Sequence, residues 1–562
     1  MFEEGAEGFS FFPYYLLVLF PTLLILSPSV VTANPQSNFP LTVSRMSQFD
    51  LYGNFYGCRA SALNLEAKSL FTWSTSRHCV VTKLEDLTVD HYKEIRSKAG
   101  GLVILMPKDF ALLSYEEKHQ IRVLEQVMLQ LDISIPVYFA PYNKQMEEIV
   151  SDISKASNSR DANKKRDSAL GEIAKSISAN GYQIVVTGAA HTVNKQSKIP
   201  ILQGEMAKPV SKSSEADTKL PLIMVVAHLD TFGLMNQHLN NNDVAVLLSL
   251  VDLFSKLNNG LNTSPKYRLL FLVTESGPIL NYQGAKKWLD VNIDENSLLQ
   301  KPEFVICLDS LGRSMDKIFM HVSKPPKEGS QINNFFKILK TSAETYGNVS
   351  VDGIHKKINL ADVTLAWEHE RFSMKRMPGL TISNMKNHKE PLRTTIFEDE
   401  DSTSIEAIQI NTKIIAEALA RYVYDISDGE IFTGTMAVTR TLISPWLNIK
   451  STQLNNDLKN AFEKYLKNVK LTYEKPDPRE PDFMLYTGHD AQLNVYNVKP
   501  AIFDLFLTFL IAIYLCGIYF SVLFFPKMYD LVCKLNICSG TTTTTANNAI
   551  ISNTSNGKIK AN

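Results

Sequence analysis

Apolar runs of strand length alternate with amphipathic stretches of helix length through the middle of the chain. That is the pattern of a mostly parallel α/β sheet with helices on both faces. The runs begin at Gly101 (GLVILM), Ile135 (IPVYFA), Tyr182 (YQIVVTG), Pro221 (PLIMVVAH), Tyr267 (YRLLFLVT), Phe304 (FVICLD) and Gly379 (GLTIS). Between them, Val244 to Leu257 is apolar nearly all round, as expected of a helix buried against a sheet, and Thr403 to Tyr424 carries a single apolar stripe. A further helix is predicted where Leu454, Leu458, Phe462, Tyr465, Leu466 and Val469 share one face, ahead of a Pro- and charge-rich stretch from Glu474 to Pro481.

Two segments are too apolar for a soluble fold. Gly8 to Ser44 carries no charge, and Phe9 to Val31 is almost entirely apolar and ends in Val31-Thr32-Ala33, the small-residue spacing of a signal-peptidase site. Residues 1–33 therefore read as a signal sequence, although Glu3, Glu4 and Glu7 precede it where positive charge is usual. Leu505 to Phe525 is also uncharged, and at ~1.5 Å per residue it covers about 30 Å, enough to cross a bilayer. Lys527 and Lys534 beyond it, against Lys499 before it, favour a cytosolic tail over 526–562 and a luminal bulk. The charged, polar stretches Lys155 to Arg166 and Lys212 to Lys219 read as linkers or loops. The expected blocks are an N-terminal α/β region over 34–170, a main α/β domain over 171–430 and a juxtamembrane cap over 431–500.

Charge and cysteine usage narrow the partners and the compartment. Lys plus Arg and Asp plus Glu are each 58, so no net field draws the chain to nucleic acid or to an acidic membrane surface. Cys58 and Cys79 are candidates for a bridge; Cys307 lies in an apolar strand, and Cys516, Cys533 and Cys538 fall in the span or the tail. Asn262 and Asn348 head glycosylation sequons in the middle, and Asn553 heads one in the tail. Ala512, Cys516, Gly517 and Ser521 place small residues near one face of the membrane helix, where another helix can approach closely.

Candidate chemistry gathers where the apolar runs end. MVVAHLDTFG puts His228 and Asp230 at the end of one run, FLVTESG puts Glu275 and Ser276 after the next, and FVICLDSLG ends another at Asp309. Strand ends of an open parallel sheet are where such folds build sites. Taken in order, and with AWEHERFSMKRMPGLTIS as a later block, these segments resemble the aminopeptidase-type di-zinc peptidases from about Leu220 to Tyr424. That resemblance implies a His-x-Asp ligand pair, a bridging Asp, a Glu-Glu pair of base and ligand, and a later Asp and His.

Here the ligand set is eroded. His228, Asp230, Glu275 and Asp309 fall in register, but Ser276 stands at the second Glu, and Leu239 stands at the bridging Asp with Asp243 four residues on. The last His falls near Phe397, and His388 is the nearest histidine. Two divalent ions ~3.5 Å apart repel by roughly 20 kcal/mol at an effective dielectric of 20, so the missing bridging carboxylate matters most. Without metal, His228 and Asp230 are expected to bond each other or loop backbone, Glu275 to be a solvated loop acid, and Asp309 to cap or turn the chain. His369 and His388 read as structural or surface residues. Replacing His228 and Asp309 together would then cost about 1–2 kcal/mol.

Along nearly the whole length, CLDSLGR, HVSKPPKEG, NYQGAKKWL, INLADVTLAWEHERF, TKIIAEALARYVY and VKPAIFDLF resemble nicastrin-type proteins, most closely the nicalin group. The resemblance implies a single-pass, type I protein of the endoplasmic reticulum with no catalytic activity and no cofactor. It implies membership of the BOS complex with the nodal modulator protein and a small polytopic membrane protein. Through them it implies indirect contact with the translocon and ribosome during insertion of multi-pass proteins, no direct contact with nucleic acid, and a role in nodal signalling. Two other readings stay open: an active zinc-dependent aminopeptidase, and a receptor that holds peptide ends without cleaving them.

Overall fold

The protein was described from a computed structural model, which covers residues 39–46, 61–131, 133–161, 181–188, 192, 194, 196–206, 220–229, 233–235, 242–260, 265–294, 302–346, 348–393, 395, 404–447, 456–479, 481–485, 490–498 and 501–539. The signal sequence, Asp230, Leu239, Asn262, Phe397, Cys58 and Asn553 lie outside the described residues.

Two sheets make up the main unit. The first is a closed barrel in the order β1 (Phe39–Arg45), β15 (Asp490–Val498), β6 (Gly181–Gly188), β2 (Leu63–Lys68), β3 (His78–Lys83), β4 (Gly101–Leu105) and β5 (Val137–Ala140). β2 to β5 run parallel, and β1 closes antiparallel onto both β5 and β15. The period-two side-chain alternation divides β4 between two cores. Leu102 and Ile104 pack with α1 (Val89–Lys98) and α2 (Tyr115–Gln130) through Tyr92, Ile95, Ile121 and Leu124, whereas Val103 and Leu105 join Met146 and Val150 of α3 (Lys144–Asp161). α2 starts where it does because Ser114 and Glu117 form a reciprocal capping box.

The second sheet has eight strands in the order β12 (Ser350–His355), β11 (Lys317–Val322), β13 (Gly379–Ser383), β10 (Phe304–Asp309), β8 (Leu222–His228), β9 (Arg268–Thr274), β7 (Ile199–Met206) and β14 (Leu466–Glu474). Its centre, β13 to β9, is parallel, while β11, β7 and β14 join antiparallel to their inner neighbours. Ile223, Val225 and Ala227 of β8 face the core with α4 (Asn242–Gly260), α6 (Gln331–Tyr346) and α8 (Ile405–Tyr424). Leu222, Met224 and Val226 face the opposite one with α5 (Gln283–Asp294) and Phe372 of α7 (His369–Met374). All seven apolar runs are strands, and helices cover both faces, as expected.

Several boundaries differ from the sequence reading. α3 extends to Asp161 and takes in the start of the expected linker. β6 belongs to the barrel, although it falls in the block expected to be the main domain. The expected cap is divided: beyond α9 (Arg440–Leu447), α10 (Asn456–Tyr465) ends before Leu466, β14 becomes an edge of the large sheet, and β15 enters the barrel. Leu466 lies four residues after Phe462, so it extends the helical stripe in sequence while it pairs with Met206 in the structure. Cys79 is a free thiol buried on β3, and burial raises its pKa far above that of a free cysteine, so the candidate bridge to Cys58 is not formed.

A second unit contains α11 (Ala501–Ser539), with an apolar span at Leu505–Leu531, somewhat longer than expected, and none of that window is buried. A Cβ added at Gly517 would meet nothing within 4 Å.

Candidate functional site at the strand ends

The carboxyl ends of β8, β9, β10 and β13 converge on a cluster of buried polar side chains. His228 closes β8 at 3% exposure, and its Nδ1 lies 3.2 Å from Glu368 Oε2, itself fully buried. The imidazole also meets Tyr282 edge-on, with ring centroids 5.6 Å apart. Among the described residues Glu368 is a partner of His228, while Asp230, the partner expected from the sequence, lies outside them.

Asp309 ends β10 in a buried ion pair with Arg393, which corrects its expected role as a simple cap or turn residue. Arg393 Nε donates to both carboxylate oxygens at 3.0 and 3.1 Å, and Nη2 donates to Oδ2 at 2.5 Å. The same Nη2 donates to the Tyr282 hydroxyl, Nη1 donates to the His388 carbonyl at 3.3 Å, and the guanidinium carbon sits 4.2 Å from the centre of the Trp367 ring. Trp367 in turn stacks on His321 at 3.9 Å. The next residue, Ser310, adopts φ 56°, turning its backbone N–H and that of Leu311 onto Asp243 at 2.7 and 2.8 Å.

Tyr282 reaches this site from a strained loop, since it and Asn281 both adopt left-handed φ values of 53° and 51°. The surroundings hold that conformation in place. The Asn281 side chain accepts from Leu365 N–H at 2.8 Å and donates to the Val363 carbonyl at 3.2 Å, while its own carbonyl accepts from Arg371.

Glu275 is 4% exposed, not the solvated acid expected. Ser276 is fully buried, and its hydroxyl accepts the Gly284 N–H at 2.6 Å at the start of α5. A Cβ at Gly284 would approach Ser276 Oγ to 2.9 Å, so the serine hydroxyl lies close against the start of α5 and favours glycine there. His388 is partly exposed and enters the site through its carbonyl. His369 is buried with Nδ1 2.8 Å from Thr381 Oγ1.

Burial divides the charge states of these groups. Burial and the neighbouring Asp309 push Asp243 up to about 7, opposed by His228 and the two N–H donors. Burial alone would raise Asp309 too, but the charge and hydrogen bonds of Arg393 outweigh it and hold the carboxyl below its usual range. Burial lowers His321 to about 4 and His369 to about 3. Burial, then the charges of Lys356, Arg393 and Lys389, lower His388 to about 4.

A metal pair does not fit this donor set. Both oxygens of Asp309 are engaged by Arg393, both oxygens of Asp243 accept backbone N–H groups, and Ser276, where the resemblance places a second glutamate, is buried with its hydroxyl on the Gly284 N–H. Among the described residues, no three His, Cys, Asp or Glu side chains are grouped to hold an ion. Arg393 and Tyr282 are the principal residues that the motif reading did not single out. A charge-balance argument could have directed attention to Arg393, because acids kept without metals require another cation.

The fold is that of a nicastrin-like α/β protein. The crystal structure of the γ-secretase component Nicastrin matches with a TM-score of 0.55 at 12% identity, covering 82% of this chain and 99% of that one. No protein-family model matches the chain. It is 36% identical over 573 residues to the BOS complex subunit ncln of Danio rerio, covering 94% of this chain and 98% of the relative. It is 34% identical over 570 residues to the BOS complex subunit NCLN of Homo sapiens, covering 95% and 99%. A Nicalin of Caenorhabditis elegans is 27% identical over 434 residues, covering 73% of this chain and 74% of its own. The chain belongs to the nicalin family of BOS complex subunits.

Proposed function

We propose that the chain is a non-catalytic scaffold subunit of the BOS complex in the endoplasmic-reticulum membrane, with its large unit in the lumen. The observation that carries this reading is kinship extending over nearly the whole length of curated BOS subunits. The strand-end cluster supports it, because His228 is bonded to Glu368, Asp309 to Arg393 and Asp243 to backbone N–H groups. The apolar Leu505–Leu531 helix supplies the anchor. By the family resemblance, the partners are the nodal modulator protein and a small polytopic membrane protein, and the assembly aids insertion of multi-pass proteins at ribosome-bound translocons. The small residues Ala512, Cys516, Gly517 and Ser521 would face the polytopic partner.

Co-purification in mild detergent followed by mass spectrometry is the direct test, with recovery of the nodal modulator protein and translocon components expected. Their absence across several detergents, or peptide hydrolysis lost on Glu275→Gln, would sink the scaffold reading. Topology has its own check. Asn348 is exposed two residues before β12, and Asn348→Gln should remove one endoglycosidase-sensitive mass step, whereas Asn553→Gln should remove none. The opposite result inverts the orientation.

A further inference from the structure

We infer that Arg393 is the resident cation of the strand-end site: its guanidinium takes the electrostatic place that a metal ion would hold among these carboxylates, and the surrounding side chains are arranged around it.

Geometry supports a built site over a surface arginine folded inward. Arg393 is 4% exposed, and its donors reach Asp309, the Tyr282 hydroxyl and the His388 carbonyl, while Trp367 covers its face. A guanidinium offers five N–H donors in a rigid fork, so one side chain can bridge several acceptors as a metal does, with charge that persists at any physiological pH. The residue is also fixed from both sides in sequence. It ends the 3-10 turn Pro391–Arg393, where its N–H donates to the Glu390 carbonyl at 3.0 Å. Two residues on, the buried Thr395 hydroxyl donates to Glu125 of α2 at 2.6 Å. Anchored in this way, the guanidinium is part of the interior.

The chemistry explains why acids have survived at positions where the peptidase resemblance places metal ligands. Buried carboxylates such as Asp309 are costly without a compensating charge, and removing one partner of a buried pair costs far more than removing both. Arg393 supplies that charge from within the chain. The inference holds whichever partners the protein has, so its outcome is separable from the scaffold reading.

The test uses the full chain in mild detergent. Wild-type protein dialysed against a zinc-containing buffer should retain no stoichiometric zinc. Arg393→Met should lower the folded-to-unfolded ratio by about a hundredfold or more, because Asp309 is left buried and unpaired. The double variant Asp309→Asn/Arg393→Met should recover at least part of that loss, and Arg393→Lys should restore less than the native fork. For any Arg393→Ala protein that folds, millimolar ethylguanidinium should protect against proteolysis where tetramethylammonium at the same ionic strength does not. One equivalent of zinc held by the wild type and lost on Asp309→Ala would overturn the inference. So would equal stability of Arg393→Met and the double variant, or a folded Arg393→Ala protein indifferent to ethylguanidinium.

Discussion

The barrel and the eight-stranded sheet bury their strand interiors alike, but they differ at the carboxyl ends. β4 and β5 of the barrel end in Leu105 and Ala140, and β3 in the partly exposed Lys83, which pairs with Glu85 and Glu147 at the surface. β8 and β10 of the sheet end in His228 and Asp309, both buried, next to Asp243, Glu275, Glu368 and Arg393. Apolar packing would have sufficed for stability, since well-packed apolar groups are often as stabilising as a buried ion pair. The charge buried at the sheet's strand ends is paired within the chain, Asp309 with Arg393 and His228 with Glu368.

The largest expected effect comes from breaking that inward pairing on one side only. Asp309→Ala leaves Arg393 buried without its carboxylate and should cost about 3–5 kcal/mol in urea unfolding. This exceeds the about 1–2 kcal/mol expected from the sequence for replacing His228 and Asp309 together. The barrel control is Thr82→Ala on β3, which removes a hydroxyl bonded to the Lys83 carbonyl at 3.2 Å and should cost about 1 kcal/mol. Equal losses in the two variants would erase the contrast between the regions.

Titration gives a smaller but more discriminating measure. His321 and His369 are held down to about 4 and about 3 when folded, against 6.5 unfolded, so their contribution is full above pH 6.5 and is lost as pH falls. Asp243 acts with the opposite sign: raised to about 7 from 3.8, it favours the folded state at low pH and loses that contribution as pH rises through 7. Between pH 6.5 and 4, the buried His321 and His369 oppose Asp243, and these three groups alone leave a net loss of about 1.4 kcal/mol per pH unit on acidification, to which the partly exposed His388, also lowered, adds in the same direction. Asp243→Asn removes the opposing group, so the slope of unfolding free energy against pH should steepen by up to about 1.4 kcal/mol per pH unit. An unchanged slope would show that Asp243 stays ionised throughout.

Those two regions were also unequally legible in the sequence. Strands such as Leu222–His228 and Phe304–Asp309 read clearly because burial on both faces makes them continuous apolar runs. β12 and β14, at the sheet edges, each bury a single side chain and give no such run. The helix-to-strand change at Leu466 was hidden because that residue satisfies the helical period of α10 as well as its pairing with β7. Of the site, His228, Asp309 and Glu275 were found by their positions at run ends. Glu368 and Arg393 were not, because their roles are set by partners 140 and 84 residues away.

The smallest expected effect lies where the two regions meet. Glu125 is a fully buried acid on the barrel's α2, and it accepts the hydroxyl of Thr395, just beyond Arg393, at 2.6 Å. Leu234 and Met235, from the chain following β8, pack into the same barrel core beside Leu124 and Met128. A buried acid on the barrel side is therefore part of the joint with the sheet. Glu125→Gln preserves shape and one acceptor, and Thr395→Val removes the donor, so each should destabilise by about 1 kcal/mol. If the bond joins the regions, the double variant should cost less than the sum of the singles, with a coupling of about 0.5–1 kcal/mol. Strict additivity would mean that the two side chains contribute separately and that apolar packing around Leu234 and Met235 alone holds the barrel to the charged end of the sheet.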